Sequence, residues 1–352
     1  MRRTSPQRTW WLTGIGVGGY LGWRLVRRMV GMDLKDKVVL ITGGSRGLGL
    51  CLAREFARQG CHLVLCARDA RELQQAERDI ASRDAQVLTL PCDVSDRAQV
   101  EEMIRTAIDR MGHIDILINN ASIIQVGPVE SMTLEDFERA LAINFWGGVY
   151  ATMAVLPHFR QRRFGHIVNI TSIGGKIAVP HLLPYDAAKF AMVGFSEGLH
   201  AELAAENIVV TTVIPGLMRT GSPVNAFFKG QSGREYAWFT LGDITPLTAM
   251  SARRAARRIV LATRRGEAEV TLSWQARLLR LTHDIFPSLT SEILTFVNRL
   301  LPDAEGAGTQ EMRGSEVTGA APKVSRIVER YAQRFNQHGG NSHAVPPEAS
   351  QR

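Results

Sequence analysis

Cysteine is scarce in this sequence, and acidic side chains are missing from its beginning. Four cysteines occur in 352 residues, Cys51, Cys61, Cys66 and Cys92, and none belongs to a C-x-x-C pair. All four fall in segments that read as helix or strand. That argues against a disulfide framework or a zinc site, so no metal is expected and a reducing, cytoplasmic compartment is the simpler reading. Residues 1–30 contain no Asp or Glu but hold Arg2, Arg3, Arg8, Arg24, Arg27 and Arg28, which is +6 of the formal net charge of +8. Basicity gathered at one end is not a patch across a folded body. It argues against a nucleic-acid partner and for attraction to an anionic membrane surface.

The uncharged run from Trp10 to Trp23 (WWLTGIGVGGYLGW) is shorter than the roughly 20 apolar residues of a spanning helix. Leu25, Val26, Met29 and Val30 extend it if the intervening arginines snorkel. Gly14, Gly18 and Gly22 would line one helix face, which permits close packing in lipid, and Trp10, Trp11, Tyr20 and Trp23 suit the interfacial belt. The expectation is a membrane anchor over residues 1–32, spanning or interfacial, with its orientation open because arginines flank both sides. A frayed leader or a cleaved signal peptide are the alternatives, the latter disfavoured by the lack of an A-x-A-like site.

With 45% hydrophobic and 22% charged residues, the rest has the composition of a globular protein with a sizeable core. From Lys37 the pattern alternates. Strand candidates are Lys37–Thr42, His62–Ala67, Gln86–Cys92, Ile114–Asn119, His166–Thr171, Ile208–Ile214 and a short Glu269–Leu272. Helix candidates lie between them at Leu48–Gln59, Ala70–Ser82, Arg97–Met111, Leu134–Arg160 and Tyr185–Glu206. Apolar strands alternating with helices predict an α/β fold: a Rossmann-type doubly wound parallel sheet, as a single domain over residues 36–272. Residues 274–301 read as an amphipathic extension of two helices broken at Pro287, covering the core, lining a substrate mouth or touching a membrane, with the first two favoured. Residues 303–352 read as a flexible tail with one helical candidate, Val324–Phe335.

Thr42-Gly43-Gly44-Ser45-Arg46-Gly47-Leu48-Gly49 joins the first strand to the first helix. Glycines there allow a tight turn and let backbone N–H groups approach a pyrophosphate at the helix N-terminus. The spacing is not G-x-G-x-x-G; it resembles the T-G-x-x-x-G-x-G pattern of the classical short-chain dehydrogenase/reductase family. Further motifs of that family follow in order over about Asp36 to Leu272. Asp93-Val94 resembles the adenine contact, and Asn119-Asn120-Ala121 resembles the N-N-A-G turn, with Ser122 departing from its last position. Asp115 matches the acid that steadies this turn. Pro215-Gly216, with Met218 and Thr220, resembles the P-G-x-x-x-T segment that binds the nicotinamide carboxamide.

Cofactor choice turns on the end of the second strand. NAD enzymes usually place an acid there for the ribose hydroxyls, whereas this chain has Cys66, Ala67 and Arg68. Arg46 and Arg68 converging on a 2′-phosphate imply NADP(H); two solvated arginines are the alternative, and Asp69 is a nearby acid.

Tyr185 and Lys189 stand four apart and share one helix face. A free phenol titrates near 10, and bringing it to about 7 needs roughly 4 kcal/mol of differential stabilisation. A neighbouring ammonium works in that direction. A lone Y-x-x-x-K is weak, but Ser172 and Asn144 complete the tetrad that the family resemblance implies. In that reading Tyr185 is the acid/base, Lys189 lowers its pKa and holds the nicotinamide ribose, and Ser172 stabilises the substrate oxygen. Asn144 holds a water, or is only a kink in its helix. Residues 217–248 resemble the family's substrate lid, and Phe227, Phe228, Tyr236, Trp238 and Phe239 suit either an apolar ligand or packing. The expected activity is interconversion of a carbonyl and an alcohol on a lipid-, steroid- or retinoid-like substrate. The alternative is a non-catalytic NADP(H)-binding regulator. The resemblance also implies a homodimer through the helices around Asn144 and Tyr185.

Overall fold

The computed structural model describes residues 31–81, 85–245, 248–304, 308–317 and 322–337. The anchor candidate falls almost wholly in residues 1–30, outside the described residues. The body begins with β1 (Val38–Thr42), α1 (Gly47–Arg58), β2 (His62–Ala67), α2 (Ala70–Ala81), β3 (Val87–Pro91), α3 (Arg97–Met111) and β4 (Ile116–Asn119). It continues through α4 (Leu134–Leu141), α5 (Gly147–Arg162), β5 (Gly165–Ile170), α6 (Leu183–Leu203), β6 (Ile208–Ile214), α7 (Ser232–Ile244), α8 (Ala252–Arg265) and β7 (Glu269–Thr271). The seven strands form one parallel sheet in the order β7-β6-β5-β4-β1-β2-β3. This is the doubly wound Rossmann-type sheet that the sequence predicts.

The strands read as unbroken apolar runs because helices cover both faces. Leu50, Phe56, Leu73 and Ile259 build the core on one side, where α1, α2 and α8 pack. Val100, Ile104, Val155 and Phe159 build it on the other, under α3 and α5. The carboxyl ends of β1, β4, β5 and β6 open on one edge, where such folds bind ligands.

The single helix expected over Leu134–Arg160 is interrupted. Ala142–Trp146 is a π turn between α4 and α5, with Asn144 buried at its centre. Among the described residues, 134–162 is the one helical stretch long and apolar enough to cross a membrane, and it packs on the sheet.

Two parts of the chain behave differently from expectation. The extension forms α9 (Trp274–Ile285) and α10 (Pro287–Asn298), broken at Pro287 as predicted. Arg277 donates to the Thr271 carbonyl at 3.0 Å, laying α9 along the edge strand β7. The pair was expected to cover the core or line the substrate mouth. Instead Trp274, Leu278, Leu281 and Ile285 on α9, and Leu289, Ile293, Phe296 and Leu300 on and after α10, are exposed. The reason is geometric: α9 buries Ala276 against the domain, and α10 packs on α9. The described parts of the tail also pack on the domain, and the expected helix is among them. Met312–Arg313 pairs antiparallel with Phe227–Phe228, and α11 (Pro322–Arg334) buries Val328, Ala332 and the following Phe335.

Candidate active site

At the end of β1 the glycine-rich turn and the Asn119-Asn120-Ala121 turn are locked together. Thr42 Oγ1 accepts hydrogen bonds from the N–H groups of Asn120 at 2.9 Å and Ala121 at 3.1 Å. Asn120 Nδ2 donates back to the carbonyls of Thr42 and Gly43 at 2.9 and 3.1 Å. Gly43 has φ +63°, and a Cβ on it would meet the Ala121 backbone at 2.9 Å. A Cβ on Gly49 would lie 2.7 Å from the Asn120 amide. Asn120 thus serves this junction with its side chain. Asp115 does not: it sits before β4, at the opposite end, accepting from Val38 N and Arg162 Nη2, both at 3.0 Å. A four-residue strand separates the two positions, so Asp115 secures the entry of β1 instead.

Gly47, Leu48 and Gly49 open α1, and Arg46 caps it without a side-chain bond. Among the described residues the Leu48 and Gly49 N–H groups have no protein acceptor, while Gly47 N donates to the Phe335 carbonyl at 2.8 Å. Asp93 accepts from Ser95 N at 3.0 Å and stands 4.0 Å from Arg68, whose side chain is 58% exposed. Val94 packs beside Gly147. Sequence reading missed Glu72: it accepts from Arg46 and from the Ser45 hydroxyl, both at 2.9 Å. It lies on α2, with no motif to mark it. Asp69, by contrast, is spent on the start of α2, accepting from Arg71 N and Glu72 N at 2.8 and 3.1 Å.

Of the four residues expected to act together, Ser172, Tyr185 and Lys189 lie next to one another, and Asn144 lines a small pocket that Ile170, the acceptor of Lys189, also lines. The Ser172 hydroxyl lies near enough to the Tyr185 phenol to lower its pKa, and it accepts from Gly174 N at 3.0 Å. Lys189 Nζ is 5.6 Å from the Tyr185 ring centre and donates to the Ile170 carbonyl at 3.1 Å. Thr42, Val94, Ala121, Asn144 and Met192 line the adjoining pocket. The Asn144 side chain is fully used on the loop after β4: Oδ1 accepts from Ile123 N at 2.8 Å and Nδ2 donates to Ile123 O at 3.0 Å. A π turn displaces the regular hydrogen-bond ladder, so what Asn144 has left to offer is backbone. Gly174 and Gly175 let α6 approach Ser172 closely; a Cβ on Gly175 would lie 2.7 Å from the Lys189 carbonyl.

Burial sets the electrostatics. It pushes the Tyr185 phenol up to about 12, against the Ser172 hydrogen bond, with the Asp186 charge adding to the rise. It pulls Lys189 down to about 8 and pushes Asp186 up to about 8. Lys189 was expected to lower Tyr185, but in the protein alone desolvation wins.

On the far side, Pro215 accepts from Ile173 N at 2.7 Å, and Gly216 packs against Ser273 and Ala276. Met218 and Thr220 lie in the segment that follows, with Thr220 buried. The lid candidate holds a helix, α7, and its aromatics are largely packing: Phe228, Tyr236 and Phe239 are buried against Val126 and Leu182. Glu235 joins them, accepting from Trp238 at 2.6 Å and contacting His181 at 2.9 Å.

The site suits a dinucleotide. Two free N–H groups at a helix start offer donors to phosphate, and glycines keep the approach clear. Residues 37–227 match the family model described as short chain dehydrogenase. The chain belongs to the short-chain dehydrogenase/reductase family. A Drosophila melanogaster "Dehydrogenase/reductase SDR family protein 7-like" is 35% identical over 79% of this chain and 85% of its own. An Acinetobacter baylyi "Fatty acyl-CoA reductase" is 31% identical over 86% and 95%. A solved short-chain dehydrogenase from Streptomyces avermitilis superposes with TM-score 0.65 and 27% identity, covering 75% of this chain and 98% of that one. The protein is therefore an oxidoreductase of a family that binds a nicotinamide cofactor, NAD or NADP.

The lowered pKa of Lys189 carries a stability prediction. Its folded value of about 8 lies below the ordinary 10.5, so charging it costs the folded state, and that cost grows as pH falls from 10.5 to 8. The full cost is about 3 kcal/mol. In urea titrations of the cofactor-free protein, Lys189→Met is expected to gain most over wild type below pH 8, with the gain shrinking towards pH 10.5. A gain that does not vary with pH would contradict the burial argument.

Proposed function

We propose that this short-chain dehydrogenase/reductase uses NADP(H) to interconvert a carbonyl and an alcohol on an apolar substrate at a membrane. The reading of the reaction rests on one observation: Tyr185 beside Ser172, with the Lys189 ammonium 5.6 Å from the Tyr185 ring on the same helix. The bound nicotinamide supplies or accepts the hydride. Tyr185, neutral at pH 7, gives its proton to the carbonyl oxygen as charge develops there. Ser172 donates a hydrogen bond to the same oxygen. Lys189, held by the Ile170 carbonyl, is the cation that steadies the resulting phenolate, and it also holds the ribose hydroxyls. Asn144, through the backbone of the π turn, holds a water that returns the proton from solvent. Pro215, Gly216, Met218 and Thr220 receive the carboxamide. Thr42, Gly43, Ser45, Gly47, Leu48 and Gly49 receive the pyrophosphate and ribose, with Asp93, Val94, Asn120 and Ala121 beside the adenosine half. Tyr185→Phe should lower kcat by at least about a thousandfold while NADPH affinity stays within a factor of three. Near-normal turnover in a panel of ketones and aldehydes graded from short-chain to steroid-sized would end this reading.

NADP(H) is favoured because Arg68 follows β2 where an acid would serve NAD, and because Asp69 and Glu72 already have partners. The Arg46→Ala/Arg68→Ala double variant should lose most of the preference for NADPH over NADH; a preserved ratio of Kd values would count against it.

The apolar substrate draws support from the whole-length similarity to a fatty acyl-CoA reductase and from the outward stripe of α9 and α10. Aromatic residues in the lid support it less, since most are packing. Amphipathic helices with Trp, Leu and Phe on one face suit a bilayer interface, and the basic, uncharged-core segment before residue 31 suits an anchor. The exposed Trp146, Met153 and Phe190 on the helices around the site support the homodimer. A carbonate wash of membranes carrying the full chain should leave it pelleted; complete release would remove the anchor from the proposal.

A further inference from the structure

The C-terminal segment belongs to none of the family motifs, yet it closes on the glycine-rich turn. Gly47 N donates to the Phe335 carbonyl at 2.8 Å. Asn336 Nδ2 donates to the carbonyls of Ser45 at 2.9 Å and Glu72 at 3.2 Å, and Asn336 itself is only 6% exposed. Gln337 accepts twice from Asn225 Nδ2, through its backbone oxygen at 3.0 Å and its side-chain oxygen at 2.7 Å. Asn225 Oδ1 then accepts from Arg313 Nη2 at 2.6 Å. On the other side α11 crosses Gly221, where a Cβ would lie 2.7 Å from Ala332 N. The segment therefore spans from the residues just after Thr220 to the phosphate turn, two walls of the cofactor groove.

It also carries charge. Arg313 is near enough to Arg46 and Arg68 to feel both, with Glu72 and Glu316 as the opposing acids. Its Nε is buried with no hydrogen-bond partner among the described residues. Arg46 is shared with Glu72 and Arg68 is largely exposed, while Arg313 is half-buried with Nη2 bound to Asn225. A phosphate dianion held beside Arg46 and Arg68 would offset the repulsion that Arg313 feels from both.

We propose that Arg313 is a third guanidinium for the 2′-phosphate of NADP(H), carried in by a C-terminal strap whose Phe335–Gln337 end latches over the bound cofactor. This rests on the NADP(H) reading above. The Leu48 and Gly49 N–H groups stay free for the pyrophosphate, so the latch and the cofactor use different donors of the same helix start.

Two full-length variants test it without any turnover measurement. Arg313→Gln should raise the Kd for NADPH at least tenfold, about 1.4 kcal/mol, and leave that for NADH within twofold. Asn336→Ala should speed release of both cofactors about tenfold in stopped-flow displacement. Melting of the cofactor-free variants is recorded in parallel. An Arg313 that only braces Asn225 would weaken NADPH and NADH alike, and that result overturns the assignment. Unchanged release from Asn336→Ala overturns the latch. If wild type itself binds NADH as tightly as NADPH, the cofactor reading fails and Arg313 with it. If wild type prefers NADPH and Arg313→Gln keeps that preference, only Arg313 is wrong.

Discussion

The Thr42 hydroxyl, accepting from two successive backbone N–H groups at the end of β4, holds together the place on which this site depends. Parallel strands leave their carboxyl ends unpaired with one another, so loops leaving them need some other tether. Here Thr42 and the Asn120 amide supply it from both directions, and Gly43 and Gly49 make room for it. A buried polar chain extends the same logic into the core. Asn119 donates to Asn169, which donates to Ser196, which meets Thr212, all between 2.7 and 2.9 Å. These bonds tie β4, β5 and β6 together side by side, with Asn119 Oδ1 left without a partner among the described residues.

Burial then governs the chemistry. The same desolvation raises Tyr185 and lowers Lys189, so at neutral pH the pair is a protonated phenol beside an amine that is still mostly charged. That arrangement suits proton donation to a carbonyl oxygen. It also means that tyrosine activation belongs to the assembled complex more than to Lys189 alone, because a bound nicotinamide cation adds charge that the protein does not supply.

Much of this was legible in the chain. Seven apolar runs gave the seven strands to within a residue or two, because a strand buried on both faces needs an unbroken run. That Tyr185 and Lys189 share one helix could be read from their four-residue spacing. The contacts of Glu72 and Asn336 with the glycine-rich turn, and of Arg313 with Asn225, could not, since these residues come from distant elements with no spacing to announce them. In the tail the helical candidate Val324–Phe335 was legible and is met by α11, but the burial of Val328, Ala332 and Phe335 against the folded domain was not. The α9–α10 pair misled in the opposite sense, its apolar face read as core when the domain edge was already filled.

The sequence by itself determined the doubly wound sheet, the glycine-rich turn between β1 and α1 and the Tyr185–Lys189 spacing, because these depend on local periodicity and short-range spacing. Tertiary structure alone decided which charges meet, where the C-terminal strap lies and how far burial moves Tyr185 and Lys189. Electrostatic and desolvation energies depend on separation through space, and residues 46, 72 and 313 become neighbours only when the chain has folded.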